Sequence, residues 1–259
     1  MIKNSITGAA YFLRGISLIT KPGIRKFVII PLTLNVIIFS LLIAYGYQQF
    51  GELLDWLLPS EDSWLSWFNW LRWILIPIFV SVAAVAVFFL FTIVANFVGA
   101  PFNSLLADAV ERHITGNKNE SEKGMRDVIA AIGPTMLSEF KKMLYYIVLS
   151  SPFIILFVIA LLIPLLNLVA SFAWLLVTAW ILAVQYCDYP FDNHDVDFST
   201  LRQRLGTKRF MAFGFGGATM LMMAVPIVNF IVMPTAVAGA TAMALKEFEL
   251  DETKKLHGE

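Results

Sequence analysis

Four long stretches without a formal charge divide this chain: Phe27 to Gly51, Trp73 to Ala107, Met143 to Cys187 and Phe210 to Leu245. They run for 25, 35, 45 and 36 residues, whereas about 20 apolar residues cross the hydrocarbon core of a bilayer as a helix. Inside lipid each backbone N–H and C=O must be satisfied within the chain, and uninterrupted apolar runs of this length do that as helices. Charged residues make up only 15% of the chain, against about 25% in soluble domains. The chain therefore reads as an all-α integral membrane protein. Its formal net charge of zero provides no bulk field for nucleic acid.

Residues 1–20 place Ile2, Ile6, Ala9, Leu13 and Ile16 at helical spacing, with Lys3, Asn4, Arg14 and Ser17 elsewhere on the wheel. This predicts an amphipathic helix lying in the membrane interface. No A-x-A-like cleavage site follows the first apolar run, so residues 1–50 are expected to stay in the mature protein. Five basic residues and no acid precede Phe27, and the first acid is Glu52; the positive-inside rule then puts the N-terminus in the cytoplasm. A first span is expected over 24–47, interrupted by Pro31 and Asn35. The acids Glu52, Asp55, Glu61 and Asp62 then alternate with Trp56, Trp64, Trp67 and Trp70, as in an interfacial aromatic belt on the outer side. A second span is expected over 71–99 and should end at Pro101. Residues 103–142 read as cytoplasmic amphipathic helices around a polar loop at 115–124, where Asn119-Glu120-Ser121 forms an inert glycosylation sequon.

Residues 143–187 are expected to form a helical hairpin turning near Pro164 to Asn167, so that the chain leaves the membrane on the side it entered. A cytoplasmic segment, 188–209, leads to a second hairpin over 210–245, and 246–259 is a polar tail. Half of the second run, less a turn, leaves about 16 residues per arm, roughly 24 Å against an apolar core of about 30 Å; this hairpin is expected to be re-entrant. Two long transmembrane helices and two hairpins, at least one partly inserted, complete the expected architecture. Pro164-Leu165-Leu166-Asn167 and Pro226-Ile227-Val228-Asn229 give both tips the pattern Pro-x-x-Asn, either a weak internal repeat or the common preference of these residues for turns. Irregular backbone at the tips calls for burial against protein or a wet cavity, hence a multi-helix assembly or an oligomer. Gly214, Gly216, Gly217 and the row Ala236, Ala240, Ala244 offer small faces for close helix packing.

The chain holds no recognisable catalytic set and no P-loop. Asp188, Asp192 and Asp195 are spaced as if to hold Mg²⁺ for a phosphate-bearing substrate, but no second acidic motif completes such a site; the plain reading is a turn in which Asp192 and Asn193 cap backbone N–H groups. His113, His194 and His257 are scattered and Cys187 is alone. Arg202, Arg204, Lys208 and Arg209 flank the second hairpin on its cytoplasmic side, where they suit anionic lipid heads or an approaching anion. No enzyme, cofactor or metal is expected.

Lys21-Pro22-Gly23-Ile24-Arg25-Lys26 stands at the mouth of the first apolar run. Pro22 suits the first turn of a helix, Gly23 admits a ligand close to the backbone, and two cations sit at the positive end of the helix dipole. The stretch is either an anion site or a positive-inside anchor. Residues 22–35, 100–111, 185–194 and 226–241, which include Ala100-Pro101-Phe102-Asn103 and Asp188-Tyr189-Pro190-Phe191-Asp192-Asn193-His194, strongly resemble the CysZ sulfate permeases of bacteria, part of the wider EI24-like membrane family. The resemblance covers nearly the whole chain. It implies sulfate uptake across the bacterial inner membrane for cysteine synthesis, membrane lipid around the protein and a homo-oligomer. It also places the family's sulfate-binding Gly-Leu-Arg motif on Gly23, Ile24 and Arg25, with isoleucine for the usual leucine; Lys26 joins by position. Sulfate has four acceptor oxygens, so backbone N–H groups from Gly23 to Arg25 are expected to meet two of them and Arg25 another. Asn35, Asn103, Asn193 and Asn229 are neutral polar candidates for a path beyond this station. A structural protein whose shallow hairpins shape the membrane is the alternative.

Overall fold

The computed structural model describes residues 2–57, 70, 72–116 and 125–250. Among the described residues eight helices follow one another: α1 (Ile2–Ile19), α2 (Lys26–Leu57), α3 (Arg72–Thr115), α4 (Met125–Leu162), α5 (Pro164–Asp192), α6 (Phe198–Thr207), α7 (Arg209–Met223) and α8 (Pro226–Glu247). The segment 58–69 with Trp64 and Trp67, the sequon and the tail beyond 250 lie outside the described residues. Two compact units emerge. One comprises Ile30–Gly99; the other joins Met1–Ile29 to Ala100–Glu259.

Among the described residues four stretches are long and apolar enough to cross a membrane: Lys26–Gly46, Lys142–Leu162, Leu166–Asp192 and Val228–Glu247. In the Ile30–Gly99 unit, α2 carries its apolar side chains outward, with Val36, Leu41 and Ile43 all exposed, as a helix does whose solvent is lipid. The second expected span, 71–99, falls on α3 from Arg72 onward. Pro101 does not end that helix. α3 continues through it to Thr115, because Leu105, Leu106, Ala109 and Val110 form a face buried in the core whose packing outweighs the single N–H that proline removes.

The larger unit is built from close helix contacts. α1 lies against α7 and α8 and buries Gly8, Tyr11, Phe12, Gly15, Leu18 and Ile19. The face read as its apolar stripe is the other one: Ile6 and Leu13 are 64% and 56% exposed. The helix thus has two apolar faces, one inward and one outward, because glycine does not register as apolar in a periodicity count yet is what lets helices touch. A Cβ at Gly8 would stand 2.1 Å from the Met211 carbonyl oxygen, one at Gly214 2.0 Å from that of Ser5, and one at Gly15 2.0 Å from that of Thr235. Tyr11 fastens the same helix to the end of α8, its hydroxyl donating to Glu247 Oε1 at 2.8 Å. Lys208 donates to Glu247 Oε2 at 3.1 Å and to the Glu247 carbonyl at 2.5 Å. Burial and then the Glu247 carboxylate push the Tyr11 phenol well above its ordinary value.

α4 and α5 form the first hairpin, and α7 and α8 the second. Both tips share one geometry. Ile163 (φ −127°, ψ 94°) and Val225 (φ −94°, ψ 109°) are extended, and the proline after each opens the next helix with no side-chain cap. This is what an X-Pro pair dictates; Asn167 and Asn229 cap nothing there. The arms of the second hairpin are unequal, 15 residues in α7 and 22 in α8, since α8 runs on to Glu247. α6 begins at Asp197, not at Asp192 or Asn193: the Asp197 carboxylate accepts from the Thr200 amide at 3.0 Å and from its hydroxyl at 2.5 Å. These bonds, the hydroxyl first, hold the Asp197 carboxyl below its ordinary range.

Gly216 and its chain neighbour separate packing from propensity. A Cβ at Gly216 would lie 1.8 Å from the Ala179 carbonyl oxygen, whereas one at Gly217 meets nothing within 4 Å. Gly216→Ala should lower the thermal unfolding midpoint in detergent through overpacking of about 1–3 kcal/mol. Gly217→Ala should leave it unchanged or raise it by up to about 1 kcal/mol of helix propensity; equal behaviour of the two variants contradicts the α5–α7 contact.

Candidate anion site

The turn between α1 and α2 is closed by its own backbone. The Lys21 carbonyl accepts from the amides of Ile24 and Arg25 at 3.1 and 3.2 Å, and Arg25's carbonyl accepts from Val28 and Ile29 as α2 begins. Pro22 and Gly23 therefore lie before the helix, not in its first turn, and the Ile24 and Arg25 amides are engaged. The Gly23 amide takes no part in these bonds. The donor set is narrower than the sequence suggests: one backbone N–H from Gly23 and the guanidinium of Arg25.

Gly23 has φ +88°, and a Cβ there would face open space. Glycine is required for the backbone conformation, and the room around it is left for something else. Ile24 is 1% exposed and anchors the turn in the core. Arg25 and Lys21 are exposed, and the Lys26 ammonium lies 5.0 Å from the centroid of the Phe27 ring. Among the described residues no carboxylate stands within ion-pair reach of Arg25. Isoleucine in place of leucine at position 24 preserves this arrangement, because the side chain points inward.

The four asparagines do not form one file. Asn35 lies on α2, half-exposed, in the Ile30–Gly99 unit, and Asn229 is exposed on α8. Asn103 is buried on α3, and Asn193 bonds Ser104, the chain neighbour of Asn103, in the larger unit. Asn193 accepts from the Ser104 hydroxyl at 2.6 Å and donates to the Ser104 carbonyl at 2.9 Å, while its own amide closes the end of α5 on Tyr189. Next to it, His194 Nε2 sits 3.0 and 2.9 Å from the two Glu111 oxygens, and Arg112 pairs with Asp108 at 3.5 Å. Asn103 Nδ2, Arg112 Nη1 and His194 Nδ1 are buried without a hydrogen-bond partner. Ser104 and Glu111 were absent from the sequence reading; their spacing with Asp108 on one helix face was the available signal.

The three aspartates do not converge. Asp188 is buried against the Lys142 ammonium, whereas Asp192 and Asp195 are exposed, and among the described residues no three metal-binding side chains cluster. Cys187 is fully buried in the core. An open cleft of about 590 Å³ is lined by Gln203, Arg204, Lys208, Glu247 and Glu249; its mixed charge does not single out an anion. In the turn at Gly23 to Lys26, Arg25 is an exposed cation with no ion-pair partner among the described residues.

Comparison with known proteins meets this geometry from outside. The profile of the family described as "Sulfate transporter CysZ/Etoposide-induced protein 2.4" matches residues 11–234. A protein of Pseudomonas aeruginosa (strain LESB58) named sulfate transporter CysZ is 40% identical over 94% of this chain and 96% of its own length. Its namesake in Vibrio parahaemolyticus is 39% identical over the same shares, and that of Pseudomonas syringae is 35% identical over 98% of this chain and 97% of its own length. An all-helical membrane protein with a cationic turn at the head of its first span, matched along nearly its whole length, this chain belongs to the CysZ/EI24 sulfate transporter family.

Proposed function

We propose that this chain carries sulfate across the bacterial inner membrane for assimilation into cysteine, and that the turn Gly23, Ile24, Arg25 and Lys26 is its interfacial sulfate station. The observation that carries the reading is an exposed Arg25 beside the positive-φ Gly23, in a chain of this family. In this reading Gly23 supplies a backbone N–H, Arg25 a charge-assisted hydrogen bond, Lys26 positive field, and Ile24 the anchor that fixes the turn. A dianion held by so few groups is bound weakly enough to leave again, as conduction requires. The N-terminus and the feet of both hairpins lie on the cytoplasmic side, the short α7 arm enters the membrane only partway, and lipid and further copies of the chain cover the outward apolar faces. Asn35, Asn103, Asn193 and Asn229 are, each taken singly, polar candidates for the sulfate path.

Purified protein in liposomes should pass labelled sulfate inward. Altered liposome curvature without flux would instead favour a membrane-shaping protein. Arg25→Ala removes a charge-assisted bond of about 1.5–3 kcal/mol, so calorimetry should record sulfate binding weakened roughly 10- to 100-fold with the oligomer intact; unchanged affinity removes the site. Because Arg25 is exposed, added inert salt should weaken wild-type binding more than that of the variant, and identical salt dependence would count against a direct contact.

A further inference from the structure

The buried pair Lys142–Asp188 plays no part in the turn described above. Their side chains retain only 8% and 6% of their surface. The pair stands at the foot of the first hairpin, where Lys142–Leu162 begins and Leu166–Asp192 is about to end. Removing two charges from water is costly, and an apolar pair of similar volume would hold two helices together as well or better. Ionisable groups at the ends of otherwise uncharged membrane arms point to handling of ions.

A second cation, Arg202, stacks on a ring one helical turn along α4 from Lys142. Tyr145, one helical turn along α4 from Lys142, accepts a hydrogen bond from Trp180 Nε1 at 3.4 Å. The Arg202 guanidinium covers the Tyr145 ring at 4.5 Å from its centroid and the Phe198 ring at 5.1 Å. Its Nε donates to the Phe198 carbonyl at 3.4 Å, and among the described residues no carboxylate lies within ion-pair reach of it. α4, α5 and α6 thus bring together one cation with a resident carboxylate and one without. Both belong to the same compact unit as Arg25.

We propose that this foot is a second anion station, at which a tetrahedral dianion displaces the Asp188 carboxylate from Lys142 and is held between Lys142 and Arg202. Asp188 is the release device. It neutralises Lys142 when the station is empty and competes with the ion when it is full, which keeps the station from becoming a trap. The inference rests on the sulfate-transport reading and names a role for residues outside the Gly23 to Lys26 turn.

The test uses the full chain in liposomes with labelled sulfate, and calorimetry with sulfate in detergent. Lys142→Met combined with Asp188→Leu removes both charges without leaving either buried alone; it should keep the wild-type unfolding midpoint and lose flux about tenfold, the weight of one charge-assisted contact. Asp188→Asn removes the competitor and should tighten sulfate binding about tenfold while slowing flux. Arg202→Gln touches only ring faces and one carbonyl, so it decides the matter if the pair variants fail to fold, with an expected flux loss of about tenfold. Wild-type flux in the double variant or in Arg202→Gln overturns this station alone. Absence of flux from the wild type overturns the transport reading and this station with it.

Discussion

Backbone-to-backbone contact across glycine is what the larger unit of this protein depends on. Gly8 and Gly15 of α1 lie against the carbonyl oxygens of Met211 and Thr235, and Gly214 of α7 against that of Ser5. In lipid the hydrophobic effect does not drive one apolar helix against another, so close van der Waals contact has to replace it. The consequence reaches the anion site directly. α1 carries the turn at Lys21 to Arg25 at its end, and Ile24 seals that turn into the same core. The position of Arg25 is set by glycines well before it in the chain.

The architecture was legible because lipid permits few solutions. Uncharged runs predicted helices and the Pro-x-x-Asn patterns predicted turns between them; the helix breaks lie at Ile163 and Val225, just before Pro164 and Pro226. Legibility failed where tertiary contact overrode a local signal. Pro101 looked like a stop, yet the buried face from Leu105 to Val110 carries α3 past it. The lipid-facing stripe read for α1 is the exposed face; its second, buried face, marked by glycine and aromatic residues, was not read. Charges were taken as the boundary of the first hairpin, but Lys142 sits inside the continuous helix α4, its charge met by Asp188 from the other arm.

The candidate site was legible in its residues and less so in its donors. The resemblance to the CysZ permeases, not spacing, pointed to Gly23 and Arg25, and φ +88° at Gly23 adds a backbone reason for glycine there. Which amides remain available is a matter of turn geometry, and two of them close on Lys21. The contacts of Asn193 and His194 with Ser104 and Glu111 were beyond reach, since they join residues 89 and 83 positions apart.

The extended residue at each hairpin tip limits what the chain can become. For α4 and α5 to merge into one straight helix, Ile163 would have to turn helical directly before a proline, against a steric clash and with a hydrogen bond lost, roughly 3 kcal/mol or more. The same bar stands at Val225. Each hairpin is therefore locked as a return journey. Lys142 and Asp188 are bound to remain at one end of the first, and Arg209 and Lys246 at one end of the second, however the rest of the protein rearranges.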